Sequence, residues 1–347
     1  MAKITSEDEI SRCSYCGNNQ VSCIDPSRLS EKIELFTYGL RESENGYLFS
    51  EILSLYGIFS EQIRDRNILI NDIFGPGSAE KRYSFDFNIA SYTEQWDEFK
   101  LELKHKNRFF PKATIHSSLF SRLTPNSTDA VLFQLLEQLK IPINQRDSFY
   151  RARVSEKPLN ANEMGCPPPD LVTGGRANPI GIPYLYVADT LTTCISEVRP
   201  SNSTCVHVSQ VAPTQELSVL DLTSPRMLCS ASAFGEEQLP TVLGFLSLLE
   251  LFSAELSKPV RPENGNLEYI PTQFLCEFIK SEAKFDGLIF NSSFGDGKNY
   301  VFFDGAPSPL ANHKSTWLIG RYMSTLLHSP YDRRIKKASE DYSTGFL

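Results

Sequence analysis

The hydrophobic rhythm of the chain changes near residue 145, and this change limits the fold more than any single motif does. Before it, apolar residues recur at intervals of three and four. Ile33, Phe36, Leu40, Phe49, Ile52, Leu53 and Tyr56 fit helices with one packed face, interrupted by ESENG at 42–46. Trp96, Phe99, Leu101 and Leu103 form another amphipathic run, which Pro111 stops. The run ILI at 68–70 leads into NDIFGPG, which suits either a helix end or a strand entering a loop. Ser127 and Thr128 cap the helix expected over AVLFQLLEQLK, and Pro142 follows its end. The expectation is a mainly helical amino-terminal domain over 1–145.

From residue 146 to 347 the pattern alternates without a fixed period. SFYRARV, YLYVAD, STCVHVSQV, LSVLDL, FDGLIF and NYVFFD read as strands. TLTTCISEV, LPTVLGFLSLLELFSAEL and PTQFLCEFIKSEAK read as helices between them. A doubly wound sheet needs a more regular crossover repeat, so the second domain is expected to be α+β. No internal repeat is convincing.

With 347 residues and 41% hydrophobic content, the chain can bury its own core without disulfide or metal staples. The formal charge of -8 supplies no general field for nucleic acid or an anionic membrane. The short basic cluster KHKNRFFPK reads as a solvated helix face or a domain seam. The amino terminus is acidic and lacks the apolar core of a secretory signal. No stretch is expected to reach the roughly 20 apolar residues of a membrane span. The location expected from this is cytoplasmic, with the eight cysteines reduced. Cys13 and Cys16 of CSYC, with Cys23, are candidate ligands of a structural zinc, and the alternative is a reduced or redox-active pair.

Common motifs mostly fail. GPGSAE has Gly75 and Gly77 but no full dinucleotide fingerprint, and GDGKN has Lys298 without phosphate-loop spacing. Both read as turns. There is no HExxH. The informative stretch starts at YRARV and runs through GCPPPDLVTGGRANPIGIPYLYVADTLTTCISEVRP. Arg151, Arg176, Tyr186 and Glu197 lie too far apart for one helix or strand to carry them all.

These residues, together with FDGLIFNSSFGDGKNYVFF, resemble the RES-domain family over about 148–305. The amino-terminal half resembles the helical extensions of longer members. The resemblance implies an ADP-ribosyltransferase-like fold and consumption of NAD+ by release of nicotinamide. It also implies a toxin or defence role, a cognate antitoxin as partner, and water or inorganic phosphate as acceptor. Arg151, Arg176, Tyr186 and Glu197 match the family's site residues, and Ser292 is the best match to its serine, with Ser293 adjacent. Ala177 stands where the family commonly has tryptophan.

The chemistry of these side chains suits that assignment. Arg151 and Arg176 can clamp a pyrophosphate with their rigid guanidinium forks. Glu197 can bind ribose hydroxyls and stabilise positive charge as nicotinamide leaves. The Tyr186 ring can pack against nicotinamide, and Ser292 can orient ribose or hold Glu197. Tyr150, Asn178 and Gln273 stand behind the site, while Gly174, Gly175 and Gly181 suit either close substrate approach or simple turns. Two other functions fit the same residues: an ADP-ribosyltransferase acting on a protein, and a non-enzymatic interaction protein with a degenerate RES domain. A homo-oligomer is compatible with each.

Overall fold

The computed structural model describes residues 9–59, 62–120, 127–200, 204–260, 265–303 and 317–327. In chain order its elements are β1 (Glu9–Ser11), β2 (Val21–Cys23), α1 (Ser30–Glu34), β3 (Leu40–Leu48), α2 (Phe49–Leu55), α3 (Arg66–Phe74), β4 (Arg82–Phe85), α4 (Ser91–His105), α5 (Ser127–Gln138), β5 (Lys140–Ile143), β6 (Phe149–Val154), β7 (Leu185–Ala188), α6 (Leu191–Glu197), β8 (Thr204–Pro213), β9 (Leu217–Asp221), α7 (Pro225–Leu228), α8 (Leu239–Ser257), α9 (Gly265–Glu268), α10 (Ile270–Ser281), β10 (Gly287–Asn291), β11 (Lys298–Phe302) and β12 (Trp317–Leu327). They fall into two compact units. One takes the chain up to Phe99 with Lys112–Gln138 and Ser224–Glu250, and the other takes Lys100–Pro111, Leu139–Thr223 and the chain from Leu251 on. The units are therefore interleaved in sequence, whereas the rhythm of the sequence suggested consecutive blocks meeting near 145.

The first unit mixes helices with two small antiparallel sheets, β1–β2 and β3–β4. The helical reading fails over residues 40–48, which form β3. Its ladder with β4 is irregular between Glu42 and Tyr47, where a Cβ on Gly46 would sit 2.3 Å from the Tyr83 carbonyl oxygen. Only glycine allows the two backbones to approach that closely. A helix does follow at Phe49, where the Glu51 side chain accepts the Leu48 N–H at 2.7 Å. Asp65 caps α3 by accepting from the N–H groups of Asn67 and Ile68, so the ILI run is helical. Trp96, Phe99 and Phe120 form an aromatic cluster, while Leu101 of the same amphipathic run is exposed.

The three cysteines proposed for zinc also lie in this unit. Among the described residues, no group of three or more His, Cys, Asp or Glu side chains is placed to hold a metal ion. Cys23 instead directs its thiol to the Val21 carbonyl at 3.6 Å. Cys13 and Cys16 share a tight turn closed by Gly17 N–H donating to the Cys13 carbonyl at 2.9 Å. Burial pushes the Cys13 pKa up, but hydrogen bonds from the backbone of Cys16 and Tyr15, the Cys16 side chain and the Gly17 backbone together hold it below the ordinary thiol value.

The second unit is built on one mixed sheet with strand order β12-β8-β6-β7-β11-β10-β9-β5. All its ladders are antiparallel except β9–β10, which gives the α+β architecture. The sheet begins at Lys140, before the expected boundary, because Pro142 lies within edge strand β5 and does not simply follow a helix. An edge position leaves the missing N–H without cost. Alternation along the strands sends Phe149, Leu185, Val187, Val211, Val219, Ile289 and Phe302 into one core cluster. Tyr150, Ala152, Tyr186 and Ala188 occupy the intervening positions.

One stretch exceeds what the sequence reading allowed. Among the described residues, Glu236–Ser257 is long and apolar enough by length and composition to cross a membrane. Within it, Leu239, Val242, Leu243, Phe245, Leu246, Leu248, Leu249, Phe252 and Leu256 are buried. A helix apolar on several sides and buried in this way is that of a core helix.

Candidate active site

A cavity of about 490 Å³ in the second unit is lined by residues from several elements, including Tyr150, Arg176, Tyr186, Glu197, Arg199 and Asn299. Its size lies within the range of small-molecule sites, roughly 300–1,000 Å³. Strands β6, β7 and β11 supply one wall. Helix α6 supplies Glu197 at its last residue, after an N-cap in which Thr190 Oγ1 accepts from Thr193 N–H at 3.1 Å.

Glu197 is held by two donors on one oxygen. Ser292 Oγ and Asn299 Nδ2 each donate to its Oε1 at 2.6 Å. Two short donors on the same atom fix the carboxylate rotamer. Among the described residues none donates to Oε2, which is left to accept from a ligand in the cavity. Ser292 Oγ also accepts from Phe294 N–H at 3.1 Å, so the NSSFGDG turn sets the serine that sets the glutamate. Ser293 points elsewhere, donating to the Ser257 carbonyl. Asn299 lies within the resembling stretch FDGLIFNSSFGDGKNYVFF, but no local pattern singles it out there as a site residue. Its position on β11, across from the end of α6, is a tertiary property.

The GGRAN loop is keyed to β7 through Tyr186. Its hydroxyl accepts from Ala177 N–H at 2.9 Å and donates to Asn178 Oδ1 at 2.7 Å. The Asn178 amide donates in turn to the carbonyls of Thr173, Pro179 and Ile182. Gln273 donates to the carbonyls of Gly175 and Asn178, and Thr272 Oγ1 to that of Arg176 at 2.6 Å. Asn178 and Gln273 therefore shape the loop. A Cβ on Gly175 would lie 2.5 Å from Asn178 Oδ1 and 2.8 Å from the Tyr186 hydroxyl, so the close approach there is internal to the protein. Burial raises the Tyr186 pKa well above the ordinary phenol value and keeps it a neutral donor. Tyr186→Phe is expected to lose about 1–3 kcal/mol of stability, since Asn178 Oδ1 and Ala177 N–H lose a buried partner. Thermal denaturation measures this as a lower Tm.

The two arginines sit differently. Arg176 lines the cavity, and its Nη1 donates to the Leu256 carbonyl while its buried Nε has no partner. Burial lowers its pKa most, with Tyr269 and Glu197 opposing and Arg199 adding to the fall. Arg151 does not line the cavity. It alternates along β6 with Tyr150 and Ala152, which do, and its Nη1 donates to the Tyr186 carbonyl at 3.2 Å. β6 and β7 are bridged only at Tyr150↔Ala188, so this side chain ties two strands that scarcely pair. Its Nε is buried without a partner, and burial, helped by the nearby Arg153, pulls its pKa down to about 10.

In this α+β unit a mixed sheet frames a cavity of ligand size, with a doubly anchored carboxylate and guanidiniums bearing unused donors. The family model described as the RES domain matches residues 148–322, half of the chain, and this protein belongs to the RES-domain family. That family is associated with NAD+-related toxin activity in general. No curated protein matches the chain. Among solved structures it is similar to the M. tuberculosis MbcT–MbcA toxin–antitoxin complex, at 15% identity and a TM-score of 0.34, covering 61% of this chain and 98% of that one.

Proposed function

We propose that this protein cleaves NAD+ at the nicotinamide–ribose bond, with NAD+ as a consumed substrate and water or inorganic phosphate as the acceptor. The observation that carries the reading is the anchoring of Glu197, a cavity-lining residue, through Oε1 by Ser292 and Asn299, with no donor to Oε2 among the described residues. In the reaction, the electron pair of the C1′–N bond leaves with nicotinamide and quenches the charge on its ring. Positive charge then develops on the ribose, where a fixed carboxylate stabilises it. A carboxylate already fixed by two donors needs little reorganisation at that moment.

Arg176 offers the remainder of its fork to the pyrophosphate, and Arg151 adds positive charge from behind Tyr186. The ring of Tyr186 packs beside nicotinamide, its hydroxyl being engaged by the GGRAN loop. The acceptor oxygen forms the new bond to C1′ and loses its proton, giving ADP-ribose from water or its 1-phosphorylated form from phosphate. The family association extends the proposal to a toxin or defence role in the cytoplasm, held in check by a cognate antitoxin.

The test is direct. Purified protein is incubated with NAD+ with and without phosphate, and nicotinamide and both sugar products are quantified. Stoichiometric nicotinamide and sugar product are expected. NAD+ unchanged in both conditions sinks the proposal, and label transferred from NAD+ to a protein moves it to protein ADP-ribosylation.

A further inference from the structure

Arg199 stands two residues beyond Glu197 and lines the same cavity, yet neither the motif resemblance nor the roles above use it. Three observations set it apart. Its backbone is left-handed, with φ of 46° in a residue that is not glycine. Such a conformation costs free energy, and it persists only where the surroundings impose it. Its backbone N–H closes the helix end by donating to the Ser196 carbonyl at 3.1 Å, which carries the side chain out of the helical path.

The guanidinium is also placed without a counter-charge. Its carbon lies 4.4 Å from the centroid of the Phe294 ring, and among the described residues no carboxylate pairs with it. Stacking on an aromatic face orients the planar fork while leaving its in-plane N–H donors unspent. Phe294 is fixed by its own N–H, which donates to Ser292 Oγ, the atom that anchors Glu197. One turn therefore positions both the carboxylate and this cation.

The charge of the cavity completes the argument. Arg199 lies near enough to Arg176 to disfavour the charge of Arg176, and Glu197 is the one carboxylate among the described lining residues. Its Oε1 is already engaged by neutral donors. Two guanidiniums with free donors against one carboxylate make a basin for an oxyanion, and guanidinium forks match phosphoryl oxygens in particular.

We infer that Arg199, with Arg176, forms a phosphoryl-oxyanion subsite in this cavity. The inference rests on the proposed function for the identity of the ligand, which is either the pyrophosphate of the dinucleotide or a free phosphate. Binding measurements separate the two sources and need no turnover.

The test uses the full chain and two variants, titrated calorimetrically with ADP and with inorganic phosphate. Arg199→Gly suits the left-handed backbone and so removes the charge without adding strain, and Arg199→Lys keeps the charge but not the fork. If the subsite serves the dinucleotide, Arg199→Gly weakens ADP binding about 10- to 100-fold and Arg199→Lys less. If it serves the free acceptor, ADP affinity stays and phosphate binding falls by a similar factor. Parental affinity of Arg199→Gly for both ligands overturns the inference, and so does absence of binding of either ligand to the parental protein. A protein that binds ADP through Arg199 but leaves NAD+ intact keeps the subsite and rejects the proposed reaction.

Discussion

Glu197→Gln is expected to lower nicotinamide release at least about 100-fold while the protein stays folded and keeps much of its NAD+ binding. The amide has the size of the carboxylate and can still accept from Ser292 and Asn299 through its carbonyl oxygen, so the anchoring contacts at 2.6 Å survive in kind. What it lacks is the negative charge facing a ribose that becomes positive in the transition state. Losing such an interaction costs about 3–4 kcal/mol, felt in the transition state more than in the bound substrate. The rate assay is paired with circular dichroism and direct ligand binding, because an unfolded variant loses activity for another reason. A folded, NAD+-binding variant that turns over at nearly the parental rate removes Glu197 from the chemistry.

Local pattern encodes much of the second unit. Strands over LYVA, FYRARV and LIFN and the helices of TLTTCISEV and PTQFLCEFIKS lie where bulky alternation and three-to-four spacing put them. The helical reading of 40–48 failed because nothing local announces that the backbone at Gly46 passes against Tyr83, a contact between segments almost forty residues apart. Pro142 misled for a similar reason, since a proline after a helix and a proline in an edge strand look alike until the sheet order is known.

The site was legible to the same degree. Glu197 and Ser292, 95 residues apart in sequence, hydrogen-bond to each other as one element of the candidate site. Asn299 and Arg199 were missed, because each matters only through what folding puts opposite it. For Asn299 that is the Glu197 carboxylate, and for Arg199 it is the Phe294 ring. An asparagine in a strand and an arginine after a helix carry no such signal by themselves. A faint clue did exist for Arg199, which follows a helix end at a place where glycine or asparagine is the common occupant.

Arg151→Met is expected to make the protein more stable and less active at once. Arg151 is 8% exposed, its Nε lacks a partner, and among the described residues no carboxylate pairs with it. Among the described residues its side chain makes one hydrogen bond, to the Tyr186 carbonyl at 3.2 Å, which is long for a charged donor, and burial has already pulled its pKa down to about 10. A guanidinium so placed loses more hydration than it regains in contacts, and an apolar side chain of similar length is favoured there by about 1–3 kcal/mol. For a unit of this size that raises Tm by several degrees. The same change removes the buried charge behind Tyr186 and slackens the link between β6 and β7, so NAD+ turnover is expected to fall by more than about tenfold. Thermal denaturation and the nicotinamide assay, run on the same preparation, read the two effects separately. A higher Tm with unchanged turnover makes Arg151 dispensable to the site. A Tm lowered by a comparable amount means that the Tyr186 contact outweighs the burial of the charge, and that Arg151 is there to hold the sheet.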